Sequence, residues 1–203
     1  MKAMRSAFLT AALLLYAVAL CGQSLSSQHV TFTPLTDSIA GTQVFAIERD
    51  SSGNIWVGHN RGASVYMGAW FDYDTSDGLP DNVVLSIACD DSGRVWFGTA
   101  LGAVRFDGDT TWFDPSDSID AHGGRAVYSI SCTPNVTWFG TDGGVVSYKP
   151  STLYPYSPYY GYTKDGTNDS LPADRIYGIL AETEDTIWVA TAEGLVRLVE
   201  TRE

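Results

Sequence analysis

His59-Asn60-Arg61 sets three hydrogen-bonding side chains in a row, directly after a Trp-Val-Gly run. Arg125, Asp174 and Arg175, with the carboxylates of Asp142 and Glu193, fall in comparable polar turns further along. If the fold brings these turns to one mouth, they form a ring of donors and acceptors suited to a polar ligand such as a sugar. A second group lies in the stretch from Lys149 to Tyr162, where Tyr154, Tyr156, Tyr159 and Tyr160 are interleaved with Pro150, Pro155 and Pro158. Proline stiffens such a loop and tyrosine gives it amphipathic faces, which suits stacking on carbohydrate, on a protein partner or on a second copy. Asp72-x-Asp74-x-x-Asp77-Gly78 has an outline of a calcium loop, but Ser76 breaks the alternation of ligands and no Glu closes it, so no metal is expected. The histidines are His29, His59 and His122, and there is no Gly-x-Ser-x-Gly elbow, phosphate loop or His-Glu-x-x-His motif. A carboxylate pair for glycoside cleavage is a spatial matter that sequence leaves open. The expectation is a non-catalytic chain without a cofactor, with a polysaccharide lyase or hydrolase as the competing reading.

The elements that must hold these residues repeat. Trp56-Val57-Gly58, Trp96-Phe97-Gly98, Trp138-Phe139-Gly140 and Trp188-Val189-Ala190 are four versions of one phrase, separated by 40, 42 and 50 residues. Before each stands an apolar-alternating run and a polar turn, as in Val83 to Ile87 and Asp90-Asp91-Ser92-Gly93. After each comes a tight turn ending in Gly62, Gly102, Gly144 or Gly194, then a third apolar run. A fourth, aromatic run follows at Trp70 to Tyr73, Trp112-Phe113 and Tyr160 to Thr163. These segments are short, rich in β-branched and aromatic residues, and bounded by Gly, Asp, Ser and Pro, and none keeps helical spacing over three turns. Four short strands per unit of about 42 residues describe a β-propeller blade. The predicted architecture is all-β, a propeller of four four-stranded antiparallel blades near residues 41–73, 83–114, 126–163 and 175–199. The last unit lacks a fourth strand, and a spare aromatic run at 29–34 is expected to complete it and close the ring. An open arc that pairs with a partner is the alternative. The repeated tryptophans are expected in the core.

The phrase Asp77-Gly78-Leu79-Pro80-Asp81-Asn82, continued by Asp91-Ser92-Gly93-Arg94-Val95-Trp96-Phe97-Gly98-Thr99, resembles the regulator-propeller repeat of extracytoplasmic sensor regions in bacterial hybrid two-component kinases. The third unit departs from it with Thr133-Pro134-Asn135 in the Asp-x-x-Gly turn, and the fourth with Ala190 for Gly. The resemblance implies a propeller that senses extracellular ligands, often glycans. In such sensors the signal passes through a membrane helix to a kinase. This sequence has far fewer repeats and neither of those parts, so what carries over is the fold and a habit of binding.

Export is expected. Lys2 and Arg5 precede an apolar run from Ala7 to Leu20 that ends in small residues, the pattern of a signal peptide over residues 1–22. The run is short for a membrane span, and the remainder, 23–203, reads as the propeller. Leu20 stands where a lipobox takes a small residue, which disfavours lipid anchoring at Cys21. The formal net charge is −12, and removing residues 1–22 makes it more negative. Such a surface repels phosphate backbones and anionic lipids, so no nucleic acid is expected as a partner. Cys89 and Cys132 occupy equivalent positions of adjacent units, a geometry that favours free thiols over a bridge.

Overall fold

The polar turns and alternating runs fold into hairpins because each turn has a device that closes it. In the first unit Asp50 Oδ1 accepts the N–H groups of Ser52 and Asn54 (both 2.9 Å), and Asp90 does the same for Ser92 and Arg94 in the second (2.9 and 3.1 Å). The second turn of every unit ends in a glycine with φ between 125° and 147°, where a side chain is strained. At Gly62 a Cβ would also lie 2.0 Å from the Tyr73 carbonyl oxygen, so the turn between the second and third strands rests on the end of the fourth.

The computed structural model describes residues 39–108, 112–122, 124–150, 158–165 and 171–200. By its contacts the chain divides into Met1–Thr31 and Phe32–Glu203, and the described residues all belong to the second unit. Four antiparallel sheets follow in chain order. The first holds β1 (Val44–Arg49), β2 (Ile55–His59), β3 (Gly62–Tyr66) and β4 (Trp70–Tyr73). The second holds β5 (Val84–Cys89), β6 (Val95–Thr99), β7 (Gly102–Phe106) and β8 (Trp112–Phe113). The third holds β9 (Val127–Cys132), β10 (Thr137–Thr141), β11 (Val145–Tyr148) and β12 (Tyr159–Tyr162). The last has three strands, β13 (Ile176–Thr183), β14 (Thr186–Thr191) and β15 (Gly194–Val199). Residues 29–34, expected as its fourth strand, lie outside the described residues, as does the expected signal peptide.

First strands pack on first strands: β1 on β5, β5 on β9 and β9 on β13. They form the inner edge of the array, and each sheet's Trp strand leans on the first strand of the next. Three cores result, one per junction. Trp56, Ala63 and Val65 meet Val84, Ile87, Phe97 and Val104. Trp96 and Ala103 meet Val127, Ile130, Phe139 and Val146. Trp138 and Val145 meet Ile176, Ile179, Ile187 and Val189. The glycine after each internal Trp exists for this approach, since a Cβ on Gly58, Gly98 or Gly140 would lie 2.7–2.8 Å from Val84, Val127 or Ile176. Serines stitch the inner edges: Ser129 and Ser131 hydroxyls accept the Ile179 and Ala181 N–H groups, both at 3.0 Å.

One element departs from the expected all-strand pattern. Residues 114–125 were expected to be loop, but α1 (Ser116–His122) forms there. Asp114 caps it by accepting the Ser116 N–H at 2.8 Å, and Pro115 stands just before its first residue. Its two turns bury a single apolar residue, Ile119, too little to leave a helical period in the sequence. No helix among the described residues is long and apolar enough to cross a membrane.

Candidate functional site

The turns at residues 59–62, 99–102, 141–144 and 191–194 lie at the end of each sheet where the first strands begin, since Val44 pairs His59, Val84 pairs Thr99 and Ile176 pairs Thr191. In three units a threonine locks the turn. Thr99, Thr141 and Thr191 hydroxyls donate to the carbonyls of Gly102, Gly144 and Gly194 at 2.9, 2.8 and 3.0 Å. His59 takes that position in the first unit and is fully buried. The Arg61 N–H donates to its Nδ1 at 3.1 Å, which leaves the ring proton on Nε2. Nε2–H then donates to Ser64 Oγ at 2.8 Å, and the Ser64 hydroxyl donates to Asp72. Burial lowers the His59 pKa, and the Asp72 charge pulls against that shift. These are the residue types of a hydrolytic triad in the wrong order. The serine gives its proton to the carboxylate, the histidine has no free lone pair to act as base, and Ser64 is fully buried.

The neighbouring polar residues bind backbone. Asn60 Oδ1 accepts the Thr42 and Gln43 N–H groups at 2.9 and 3.2 Å. Asp142, at the matching position of the third unit, accepts those of Arg125 and Ala126 at 2.7 and 3.0 Å. Asp174 Oδ1 accepts the Lys164 N–H at 2.6 Å, and Lys164 Nζ lies 3.9 Å from Glu193 in an exposed pair. Arg61 and Arg125 are exposed. So Asn60, Asp142 and Asp174 hold loops, while Arg61, Arg125, Arg175 and Glu193 keep side chains toward solvent.

Arg175 has company that alternation does not foretell. Pairing along each first strand skips one residue, between Val84 and Ser86, Val127 and Ser129, or Ile176 and Gly178. The skipped residues include Tyr128 and Tyr177, at the inner edge. The Arg175 guanidinium carbon lies 5.1 Å from the Tyr128 ring centre and 5.7 Å from that of Tyr177, and Nη2 donates to the Tyr128 hydroxyl at 3.2 Å. Arg175 and Tyr177 are exposed. Two aromatic rings flank a cation with donor capacity to spare, a chemistry suited to stacking and to hydrogen-bonding hydroxyls or a carboxylate. An aromatic residue at the second position of a first strand was the available signal.

In the Tyr-Pro stretch, Tyr154 and Tyr156 lie outside the described residues. Tyr159 is buried and stacks on Tyr148, with ring centres 4.9 Å apart. Burial raises its pKa. Tyr160 is exposed beneath Lys149 Nζ, 5.4 Å from its ring centre. The carboxylates of the suspected calcium loop serve the turn, with Asp77 accepting the Asp74 N–H at 2.9 Å and Asp74 that of Ser76 at 2.7 Å. No cluster of metal-ligating side chains occurs among the described residues. Cys89 and Cys132 are free thiols, both pushed up to about 12 by burial in the first instance.

Blades joined in series, with polar turns and aromatic inner-edge residues at one end, define a propeller array. The chain carries two component regulator propeller repeats, matched at residues 38–61 and 78–100. No curated protein matches it. Among solved structures it is similar to the extracellular domain of the hybrid two component system BT3049 from B. thetaiotaomicron, at 18% identity and a TM-score of 0.68, over 86% of this chain and 24% of that one. The extracellular domain of BT4673 from the same organism matches at 22% identity and a TM-score of 0.61, over 78% of this chain and 20% of that one. The chain thus spans a quarter or less of the length of these two structures. The computationally designed Ika4 protein matches at 12% identity and a TM-score of 0.56, over 89% of this chain and 99% of that one. These likenesses establish the fold.

Proposed function

We propose that the chain is an exported, non-catalytic, sensor-like propeller module that binds a polar ligand, foremost a glycan, at the end of the array bearing the turns at 59–62, 99–102, 141–144 and 191–194. The observation that carries this reading is Arg175 held against Tyr128 and Tyr177 at the inner edge. Arg61, Arg125 and Glu193 supply further exposed groups at the same end. Export agrees with the basic and apolar N-terminal pattern of the sequence, and with the two solved counterparts from B. thetaiotaomicron, which are extracellular domains. The His59-Ser64-Asp72 chain, buried at His59 and Ser64, supports a structural rather than a catalytic use of those groups.

Screening the purified chain on a glycan array, followed by calorimetry with the best binder, tests this. Arg175→Ala and Tyr177→Ala each remove an exposed group. They should weaken binding roughly tenfold or more, the loss of about 1.4 kcal/mol, with an unchanged melting temperature. Binding that survives both substitutions together would place the ligand elsewhere or refute the reading.

A further inference from the structure

Each internal junction buries the same repeat positions, so the two ends of the array can be compared with its interior. Trp56, Trp96 and Trp138 are 4%, 1% and 1% exposed, because the next blade covers them. Trp188, at the same position of the last described blade, is 39% exposed. At the other end, Ile47 corresponds to Ile87, Ile130 and Ile179, which are 8–9% exposed, yet Ile47 is 70% exposed. Val44 corresponds to Val84, Val127 and Ile176, which are 0% exposed, yet Val44 is 53% exposed. The first blade therefore shows the half of a junction that receives a Trp strand, and the last blade shows the half that supplies one. Packing runs from β1 to β13 in series, and among the described residues the strands packed most extensively on β1 are β2 and β5.

The last face is also altered in a consistent way. Ala190 stands where Gly58, Gly98 and Gly140 admit the next blade closely. Leu195 replaces Ala63, Ala103 and Val145, and Leu180 replaces Glu48, Ala88 and Ser131. These residues, with Gly178, Ile179 and Trp188, line an open apolar cleft of about 460 Å³. A methyl at Ala190 would hold an incoming strand further off than the glycines do, and two leucines have the bulk to fill the added space. Both leucines are about two-thirds exposed, a placement that opposes solubility unless something covers them.

We propose that the open faces of the first and last blades are the two halves of one more blade junction, formed twice between two copies of this chain, so that two four-blade arcs close into an eight-blade ring. The occupant follows from the junctions already present. What covers a Trp strand's outer face, three times in this chain, is the first strand of a following blade carrying Val or Ile at one fixed position and Ile at another. The uncovered first strand with that pattern is β1, and a second copy supplies it. Head-to-tail contact of this kind closes when the rotation permits, and eight blades lie within the usual range for propellers. The inference concerns the end faces and does not depend on the ligand reading.

Sedimentation and light scattering of the full exported chain over a wide concentration range test it. The expected species has the mass of two chains. Leu180→Asp and Ile47→Asp each charge an exposed position, so circular dichroism should report an unchanged fold while the mass falls to that of one chain. Mixing the two variants should restore a two-chain species, because the last blade of the Ile47→Asp copy and the first blade of the Leu180→Asp copy are both intact. A one-chain mass for the unaltered protein, as closure by residues 29–34 of the same chain would give, overturns the proposal. So does a dimer that survives both substitutions, or an open-ended series of larger species.

Discussion

Replacing equivalent tryptophans one at a time turns the open end of the array into a measurable quantity. Trp96 is 1% exposed and makes edge-on contacts with Phe113, Phe139 and Tyr148, at 6.2, 5.3 and 5.8 Å between ring centres. Trp96→Ala removes these and leaves a cavity between two packed blades, which costs about 3–5 kcal/mol. Trp188 is 39% exposed and its ring borders the open cleft. Its Nε1 bond to Glu182 (3.1 Å) and the Arg197 guanidinium 6.0 Å from its ring centre are surface contacts of little net value. Trp188→Ala therefore loses only part of the transfer term and encloses no cavity, a cost of about 2 kcal/mol. The gap of about 2 kcal/mol moves the urea midpoint by about 1 M, for a slope near 2 kcal/mol per molar. Urea titrations followed by circular dichroism should be run in the Ile47→Asp background, where self-association is removed without touching Leu180, the cross-strand neighbour of Trp188. Equal costs for the two substitutions would mean that the outer face of the last blade is covered within the chain, and the comparison of repeat positions would fail.

Two further outcomes follow from the same geometry. Gly140→Ala places a methyl 2.7 Å from Ile176 Cγ2 and 3.2 Å from Ile179 Cδ1, and should cost about 1–3 kcal/mol in chemical denaturation; Gly178→Ala meets only Ala190 Cβ at 3.7 Å and should be tolerated. His59 is held neutral, with its pKa below the ordinary value of 6.5, so the folded state binds fewer protons than the unfolded chain. Its contribution is complete above pH 6.5 and is lost as pH falls through the folded value. His59→Thr installs the residue that the other three turns use, and should flatten the fall in urea midpoint between neutral pH and pH 5. An unchanged slope would count against a buried neutral histidine.

The repeat made the architecture readable because propeller positions are set by local chemistry. Asp50 and Asp90 close their turns with the residues next to them, and the turn glycines answer a backbone angle, so both leave marks in the sequence. The site was less legible because its residues work across the chain. Asn60 and Asp142 looked like ligand groups until the structure set each against N–H groups 16 to 18 residues away. His59 looked exposed in a polar turn, but the strand register turns it inward onto Ser64. Arg175 stands out in the sequence by its charge, whereas its neighbours Tyr128 and Tyr177 do not, because a skipped residue in each first strand breaks the alternation that assigns faces. The short helix went unseen because it buries only Ile119.

Blade number is not written into a repeat, since every internal junction here uses the same Trp, Gly, Val and Ile positions and would accept another unit at either end. The outer face of the last described blade departs from that pattern, whereas the first blade keeps it. Ala190, Leu180 and Leu195 make the outer face of the last blade bulkier than any internal one, while β1 keeps the ordinary Val44 and Ile47. A face built only for water would be expected to lose its apolar residues, as capping units of repeat proteins do. Here the terminal face gains two leucines and retains its tryptophan, and the leading face keeps the pair that elsewhere receives a tryptophan. Substitution toward larger apolar groups at one end, matched by retention of the receiving pattern at the other, is the signature of a junction adjusted in spacing rather than abandoned.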